Sequence, residues 1–118
     1  MNNKTTALYC RTALADAEAI AQQRESLRRF AEEKGFTNLT YYEDDGYSGL
    51  NPARPALLRL ERDIRDGKVA RVIAPDLARL GRDTAEVVRW LVWLRRHGVE
   101  IMLLDGSDLN PLLAGLEK

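Results

Sequence analysis

Four arginines occupy positions from which they could bind one phosphate group together, namely Arg11, Arg54, Arg79 and Arg82. A guanidinium presents its N–H donors in a planar fork and stays charged at physiological pH, which suits it to phosphate oxygens. The alternative interpretation is solvated surface charge, because the eighteen basic residues of this chain balance eighteen acidic ones. Spacing alone leaves both interpretations open.

Each of these arginines ends a predicted strand or lies in the segment that follows one. The run "TTALYCR" at 5–11 has contiguous apolar positions, which is typical of a strand covered on both faces. "FTNLTYY" at 36–42 carries the aromatic and β-branched residues of a second strand. "ARVIAP" at 70–75 predicts a third strand, and "VEIMLLD" at 99–105 predicts a fourth.

Predicted helices alternate with these strands. Capping residues and terminal glycines indicate helices over 16–34, 55–67 and 83–98, and Asp83 with Glu86 has the spacing of a capping box. A short last helix is predicted over 110–118. Strands alternating with helices predict a three-layer α/β fold, with a mainly parallel sheet flanked by helices.

The carboxyl edge of this sheet is where the four arginines should meet. Ligands of open α/β sheets bind outside the carboxyl ends of the strands. Arg11, the polar loop over 44–54 and the segment "DLARLGRD" at 76–83 all follow predicted strands. Arg79 and Arg82 are three residues apart, so one helical turn would place them on the same side.

Length and composition restrict the class of protein. At 118 residues, 45% apolar and 31% charged, the chain fits one globular domain over 1–118 rather than a disordered protein. Its formal net charge of zero argues against non-specific electrostatic binding to DNA, so we expect only weak DNA binding by this chain alone.

The sequence also predicts a location in the cytoplasm without a membrane anchor. Cys10 is the one cysteine, so an internal disulfide is impossible, and its place in an apolar strand predicts an inert core residue. No run approaches the roughly 20 apolar residues that span a membrane. We expect no metal site and no cofactor.

Several short motifs together resemble a known family. They occur in the family's order as "YCR" at 9–11, "QRESLRRFAEEKGF" at 23–36, "YYEDDGYSG" at 41–49, "ARPAL" at 53–57 and "LARLGRD" at 77–83. On these motifs the chain resembles the catalytic domain of serine site-specific recombinases, the resolvase–invertase family and its large transposon-borne relatives. Members of that family continue into a long helix and a DNA-binding domain, whereas only "NPLLAGLEK" follows the fourth predicted strand here, so we expect no DNA-binding domain.

The resemblance implies a phosphoryl-transfer site. In this family a serine attacks a DNA phosphodiester to form a phosphoserine link, and arginines neutralise the developing charge. Arg11 matches the arginine two residues before that serine, and the other three arginines match the loop arginine and the family's later pair. Asp44 and Ser48 match polar residues of the supporting loop.

Two positions depart from the family pattern. Ala13 occupies the place of the nucleophilic serine, and Ala78 occupies the place of an aspartate before the later arginine pair. Of the other hydroxyls, Thr12 would face away from Arg11 in an extended strand, and Ser48 lies in a loop whose small polar residues favour turns. We therefore expect a catalytically inactive recombinase-family domain of a mobile element, acting as a binding or regulatory partner.

Alternatives and partners remain open at this point. The chain could be a working recombinase subunit with an unorthodox nucleophile, or a phosphate- or nucleotide-binding module. Its last long helix is apolar nearly all round, so Trp90 and Trp93 either lie at the edge of the core or form an interface. Such an interface would serve a homodimer or a heteromer with an active recombinase.

Overall fold

A parallel sheet forms the centre of the protein. The computed structural model describes residues 3–107 and Leu109. Within them, β1 is Thr5–Thr12, β2 is Leu39–Asp45, β3 is Val69–Ala74 and β4 is Glu100–Leu103. The strands lie in the order β2-β1-β3-β4, and each neighbouring pair is parallel. The predicted parallel sheet is therefore confirmed.

The helices begin and end at local signals in the sequence. They are α1 (Ala17–Glu33), α2 (Pro55–Arg65), α3 (Leu77–Leu80) and α4 (Thr84–Arg96). The Asp16 side chain accepts a hydrogen bond from the Ala19 amide at 3.0 Å and so caps α1. The Asp83 side chain caps α4 by accepting from the Glu86 amide at 3.2 Å.

Two hydrophobic clusters cover the two faces of the sheet. Successive residues of a strand point to opposite faces, so β1 contributes Leu8 and Cys10 to one cluster and Tyr9 to the other. The Leu8 cluster includes α1, and the Tyr9 cluster includes α2 and α4. This confirms the α/β fold with helices on both sides. Burial also raises the pKa of the Cys10 thiol to about 12, so the thiol stays protonated.

Several predicted elements differ in extent or type, and three of the differences concern the site edge or a sheet edge. β2 covers Leu39–Asp45 rather than the predicted 36–42. The acidic residues at 43–45 resemble a loop in the sequence, but they have specific partners in the fold and belong to the strand. The segment at 77–80 forms the short helix α3, with Asp76 as its cap, and β4 is shorter than predicted. The helix predicted over 110–118 lies outside the described residues.

No helix in the described part of the chain combines the length and the apolar character needed to cross a membrane.

Candidate functional site

Two of the four arginines are buried at the carboxyl edge of the sheet. Arg11 precedes the last residue of β1 and is only 3% exposed, and Arg54 immediately precedes α2 and is 6% exposed. Charged residues are almost never this buried unless their N–H groups find acceptors. Both side chains reach toward α3, which follows β3 at the same edge.

Arg11 binds three backbone carbonyls through its guanidinium. Its Nε donates to the Arg79 oxygen at 3.2 Å, and its Nη2 donates to the Ala78 oxygen at 2.6 Å. Its Nη1 donates to the Tyr47 oxygen at 3.0 Å. All three nitrogens of this guanidinium group are therefore engaged with the backbone of α3 and of the loop after β2.

Arg54 makes a similar set of contacts. Its Nη2 donates to the Leu80 oxygen at 2.8 Å, and its Nη1 lies 3.3 Å from both the Arg79 oxygen and the Tyr9 hydroxyl. Its Nε is buried without a hydrogen-bond partner. Arg54 thus binds the last carbonyls of α3 and shares the Arg79 oxygen with Arg11.

The remaining two arginines are more accessible. Arg79 lies in α3 and is partly buried, whereas Arg82 is exposed. α3 ends at Leu80 and Gly81 is extended, so Arg79 and Arg82 do not share the single helical turn that was predicted to join them. The Arg82 amide instead donates to the Gly49 oxygen at 3.2 Å, which ties it to the loop after β2.

The four arginines nevertheless lie within electrostatic reach of one another. Burial is the main cause that lowers the pKa of Arg11, and the positive charges of the other three arginines lower that pKa further. Among the described residues, no carboxylate lies within 4.0 Å of any of the four guanidinium groups, since the ion pairs involve α1 arginines instead. Within the described part of the chain, this edge therefore carries a cluster of positive charge without direct counter-ions.

Asp44 supports the site through buried hydrogen bonds. This carboxylate is 1% exposed and accepts hydrogen bonds from the amides of Ala56 and Leu57, at 2.7 and 3.1 Å. It also accepts from the Tyr9 hydroxyl at 2.7 Å. These bonds satisfy two free amides at the start of α2.

Tyr9 is a site residue that was not predicted from the sequence. Its hydroxyl joins Asp44 to Arg54, and burial together with the Asp44 bond raises the pKa of Tyr9 well above its usual range. Tyr9 stands two residues before Arg11, so the alternation of a strand places both side chains on the same face of the sheet. This two-residue spacing is the feature of the sequence from which Tyr9 could have been predicted as a site residue.

The hydroxyls near residue 13 are both engaged in local structure. Ala13 is exposed just after β1. The Thr12 hydroxyl donates to Asp45 at 2.5 Å and accepts from the Gly46 amide at 3.1 Å. Ser48 is exposed, and its Oγ accepts from the Leu50 amide at 3.1 Å, which is the geometry of a turn.

Ala78 is exposed on α3 and presents only a methyl group. Its backbone oxygen, bound by Arg11, is its contribution to the site. Within residues 3–107 and Leu109, no group of His, Cys, Asp and Glu side chains has the arrangement of a metal site.

The two tryptophans pack partly against the Tyr9 cluster. Trp90 Nε1 donates to Glu61 on α2 at 2.8 Å. The Trp93 ring lies 4.5 Å from the His97 ring, and His97 Nδ1 lies 2.9 Å from the Trp93 oxygen. Each indole is therefore half-buried. The subunit interface predicted through Trp90 and Trp93 stays a prediction.

Comparisons with known proteins agree with the fold and the motifs. The family described as "Resolvase, N terminal domain" matches residues 6–112. No curated protein was found to match the sequence. Among solved structures, the N-terminal catalytic domain of TP901-1 integrase is similar in fold, with a TM-score of 0.84 and 23% identity, over 96% of this chain and 93% of that chain.

Two further solved structures are similar at higher identity. A resolvase family site-specific recombinase from Streptococcus pneumoniae is 26% identical, with a TM-score of 0.80, over 96% of this chain and 83% of that chain. The first ORF in transposon ISC1904 from Sulfolobus solfataricus P2 is 29% identical, with a TM-score of 0.66, over 88% and 69%. The resemblance to serine recombinases is thus confirmed, and the chain belongs to the resolvase family through its N-terminal domain.

Proposed function

We propose that this resolvase-family domain takes part in site-specific recombination without cleaving DNA. It would bind phosphate through its arginine cluster and act as a binding or regulatory partner of an active recombinase encoded by a mobile element. One observation carries this proposal. The exposed residue just after β1, two positions beyond Arg11, is Ala13, while the cluster of four arginines lacks carboxylate counter-ions among the described residues.

The chemistry of strand cleavage explains why residue 13 matters. Attack on a phosphodiester needs an oxygen nucleophile held near the groups that stabilise the developing charge. The Ala13 methyl group cannot supply that nucleophile, and the Thr12 hydroxyl already bonds to Asp45 and Gly46. Positive charge alone attracts a phosphate but does not break its ester bond.

A second candidate function rests on Ser48. Ser48 is exposed and is followed by Gly49. The backbone of Gly49 passes close to the cluster, since a side-chain carbon added there would lie 3.0 Å from Arg11 Nη2. The Ser48 hydroxyl is therefore carried by a loop that adjoins the arginine cluster. If Ser48 were the nucleophile, the chain would be a working recombinase subunit of unorthodox mechanism.

A covalent-intermediate assay separates these candidates. The purified chain is incubated with a nicked duplex that traps a covalent protein–DNA product, and we expect no band that survives denaturant. Ala13→Ser alone should not give full activity, because position 78 still lacks a carboxylate. A denaturant-resistant band that disappears in Ser48→Ala or in Thr12→Val would overturn the proposal.

The same preparation tests phosphate binding. Because the net charge is zero, affinity for duplex DNA should be weak at physiological salt, at or beyond the non-specific range of roughly 10⁻⁴ to 10⁻⁶ M. Binding of a nucleotide much tighter than this, with no binding of duplex DNA, would favour a nucleotide-binding module instead.

A further inference from the structure

A cavity of about 170 Å³ is lined by residues of α2, of α4 and of the loops beside these helices. The buried side chains of Leu57, Leu80 and Val87 form its apolar part. Pockets for drug-sized ligands have volumes of roughly 300 to 1,000 Å³, so this cavity is large enough for a single side chain only.

Three carboxylates line the same cavity. Glu61 on α2 is half-buried, and Asp83 and Glu86 at the start of α4 are exposed. Each ion pair within the described residues involves an arginine of α1, so none of these carboxylates has a described basic partner within 4.0 Å. The cavity therefore favours a cation and disfavours a phosphate.

Trp90 contributes an aromatic wall to the cavity. Its Nε1 donates to Glu61 Oε2 at 2.8 Å, so the indole and this carboxylate hold each other in position. A cation within about 6 Å of an indole ring is attracted to its face. A guanidinium group suits such a wall best, because it is planar, stacks on aromatic rings and binds carboxylates through a fork of N–H groups.

Arg54 is an independent indication of a ligand. Its side chain also lines the cavity, is 6% exposed and has a buried Nε without a hydrogen-bond partner. Its Nη2 lies 3.8 Å from the place of a side-chain carbon on Gly81, which lines the same cavity. A buried donor without an acceptor is unfavourable, so a ligand that brings a carbonyl oxygen would satisfy this N–H group.

We propose that this cavity binds one arginine side chain of a partner protein. The guanidinium group lies among the three carboxylates and against Trp90, and a backbone carbonyl of the same segment accepts from Arg54 Nε. A peptide segment supplies both the cation and the carbonyl, which a simple inorganic cation does not. This inference goes beyond the proposed function, and it does not depend on phosphate binding by the arginine cluster.

An arginine peptide tests the proposal directly. The probe is acetyl-Gly-Arg-Gly-amide, and its control replaces arginine by citrulline, which keeps the shape of the side chain but has no charge. The readout is the NMR signal of each indole N–H group, since the chain has two tryptophans and Trp93 does not line the cavity. We expect the arginine peptide to shift the Trp90 signal much more than the Trp93 signal, and the citrulline peptide to bind at least about tenfold more weakly.

A charge-neutralising variant tests the carboxylates. Glu61→Gln removes one negative charge, while its amide oxygen can still accept from Trp90 Nε1, and we expect it to weaken binding of the arginine peptide about threefold. Glu33→Gln is the matched control, because it makes the same change at an exposed position of α1, on the other face of the sheet. This control should bind the peptide as the unmodified chain does.

Several results would contradict the proposal. A Trp90 signal that stays in place up to roughly 10 mM arginine peptide, or equal binding of the citrulline peptide, would refute the cation site. Unchanged binding by Glu61→Gln would exclude its carboxylate, and Glu86→Gln would replace this variant if it did not fold. A response to free L-arginine alone would indicate a small-molecule site instead of a protein partner. A Trp90 signal that moves with protein concentration alone would assign the arginine to a second copy of this chain and overturn a separate partner.

Discussion

Replacing Gly49 by alanine should destabilise the arginine cluster through a steric clash. A side-chain carbon at residue 49 would lie 2.5 Å from Cγ of Arg82, 3.1 Å from the Arg82 amide nitrogen and 3.0 Å from Arg11 Nη2. Carbon atoms in favourable contact are about 3.5 to 4.0 Å apart. The backbone of Arg82 must therefore move, since rotation of its side chain relieves only part of the overlap.

The magnitude follows from two contributions. Overpacking of a well-packed site costs roughly 1 to 3 kcal/mol. Movement of Arg82 also weakens the hydrogen bond from its amide to the Gly49 oxygen, and a bond of this kind contributes about 1 kcal/mol. Gly49→Ala should thus lower the free energy of unfolding by about 2 to 4 kcal/mol.

Urea unfolding followed by circular dichroism measures this loss. Ala53→Ser is the matched control, because it adds one heavy atom at an exposed position of the same loop. The control should stay within about 0.5 kcal/mol of the unmodified chain, as exposed substitutions generally do. A Gly49→Ala variant as stable as the control would refute the close packing of Gly49 against Arg11 and Arg82.

Two further predictions concern α4 and the turn after β1. Trp93→Ala should convert any dimer to a monomer in sedimentation experiments, whereas Trp90→Ala should mainly lower stability in urea, by about 2 kcal/mol, because its indole is half-buried and bonds to Glu61. The folded-state pKa of Asp45 is lowered, first by the Thr12 hydroxyl and then by the Asp16 amide. The ionised Asp45 therefore stabilises the fold fully above its unfolded pKa of about 3.9. This stabilisation is lost as the pH falls through the lower folded value. Asp45→Asn should therefore make acid unfolding less steep below pH ~4, and an unchanged acid titration would contradict this.

Local signals explain why most of the fold could be predicted from the sequence. Asp16, Pro55 and Asp83 act at helix starts through contacts with the next few residues, and such short-range signals are visible in the sequence. β2 was misplaced because its acidic end depends on distant partners. Asp44 bonds to the start of α2, and Glu43 pairs with Arg24 of α1, and neither partner can be identified from spacing.

The candidate site was predictable in location and not in detail. The rule that parallel strands end at one edge was enough to bring Arg11, Arg54, Arg79 and Arg82 into one region. Which arginines are buried depends on the backbone path of residues 77–82, where Gly81 is extended and ends α3 after one turn. That path is a tertiary property, so the carbonyl contacts of Arg11 and Arg54 could not be inferred from the sequence.

The hydrogen bonds from Arg11 and Arg54 to backbone carbonyls change what the presence of these two arginines implies about function. A chain without the nucleophile still needs Arg11 and Arg54 in order to satisfy three carbonyls at the end of α3, so their presence is explained by the fold alone. Arg82 differs, because it is exposed and no described carboxylate lies within 4.0 Å of its guanidinium group. The positive charge of Arg82 is therefore stronger support for phosphate binding than that of the two buried arginines.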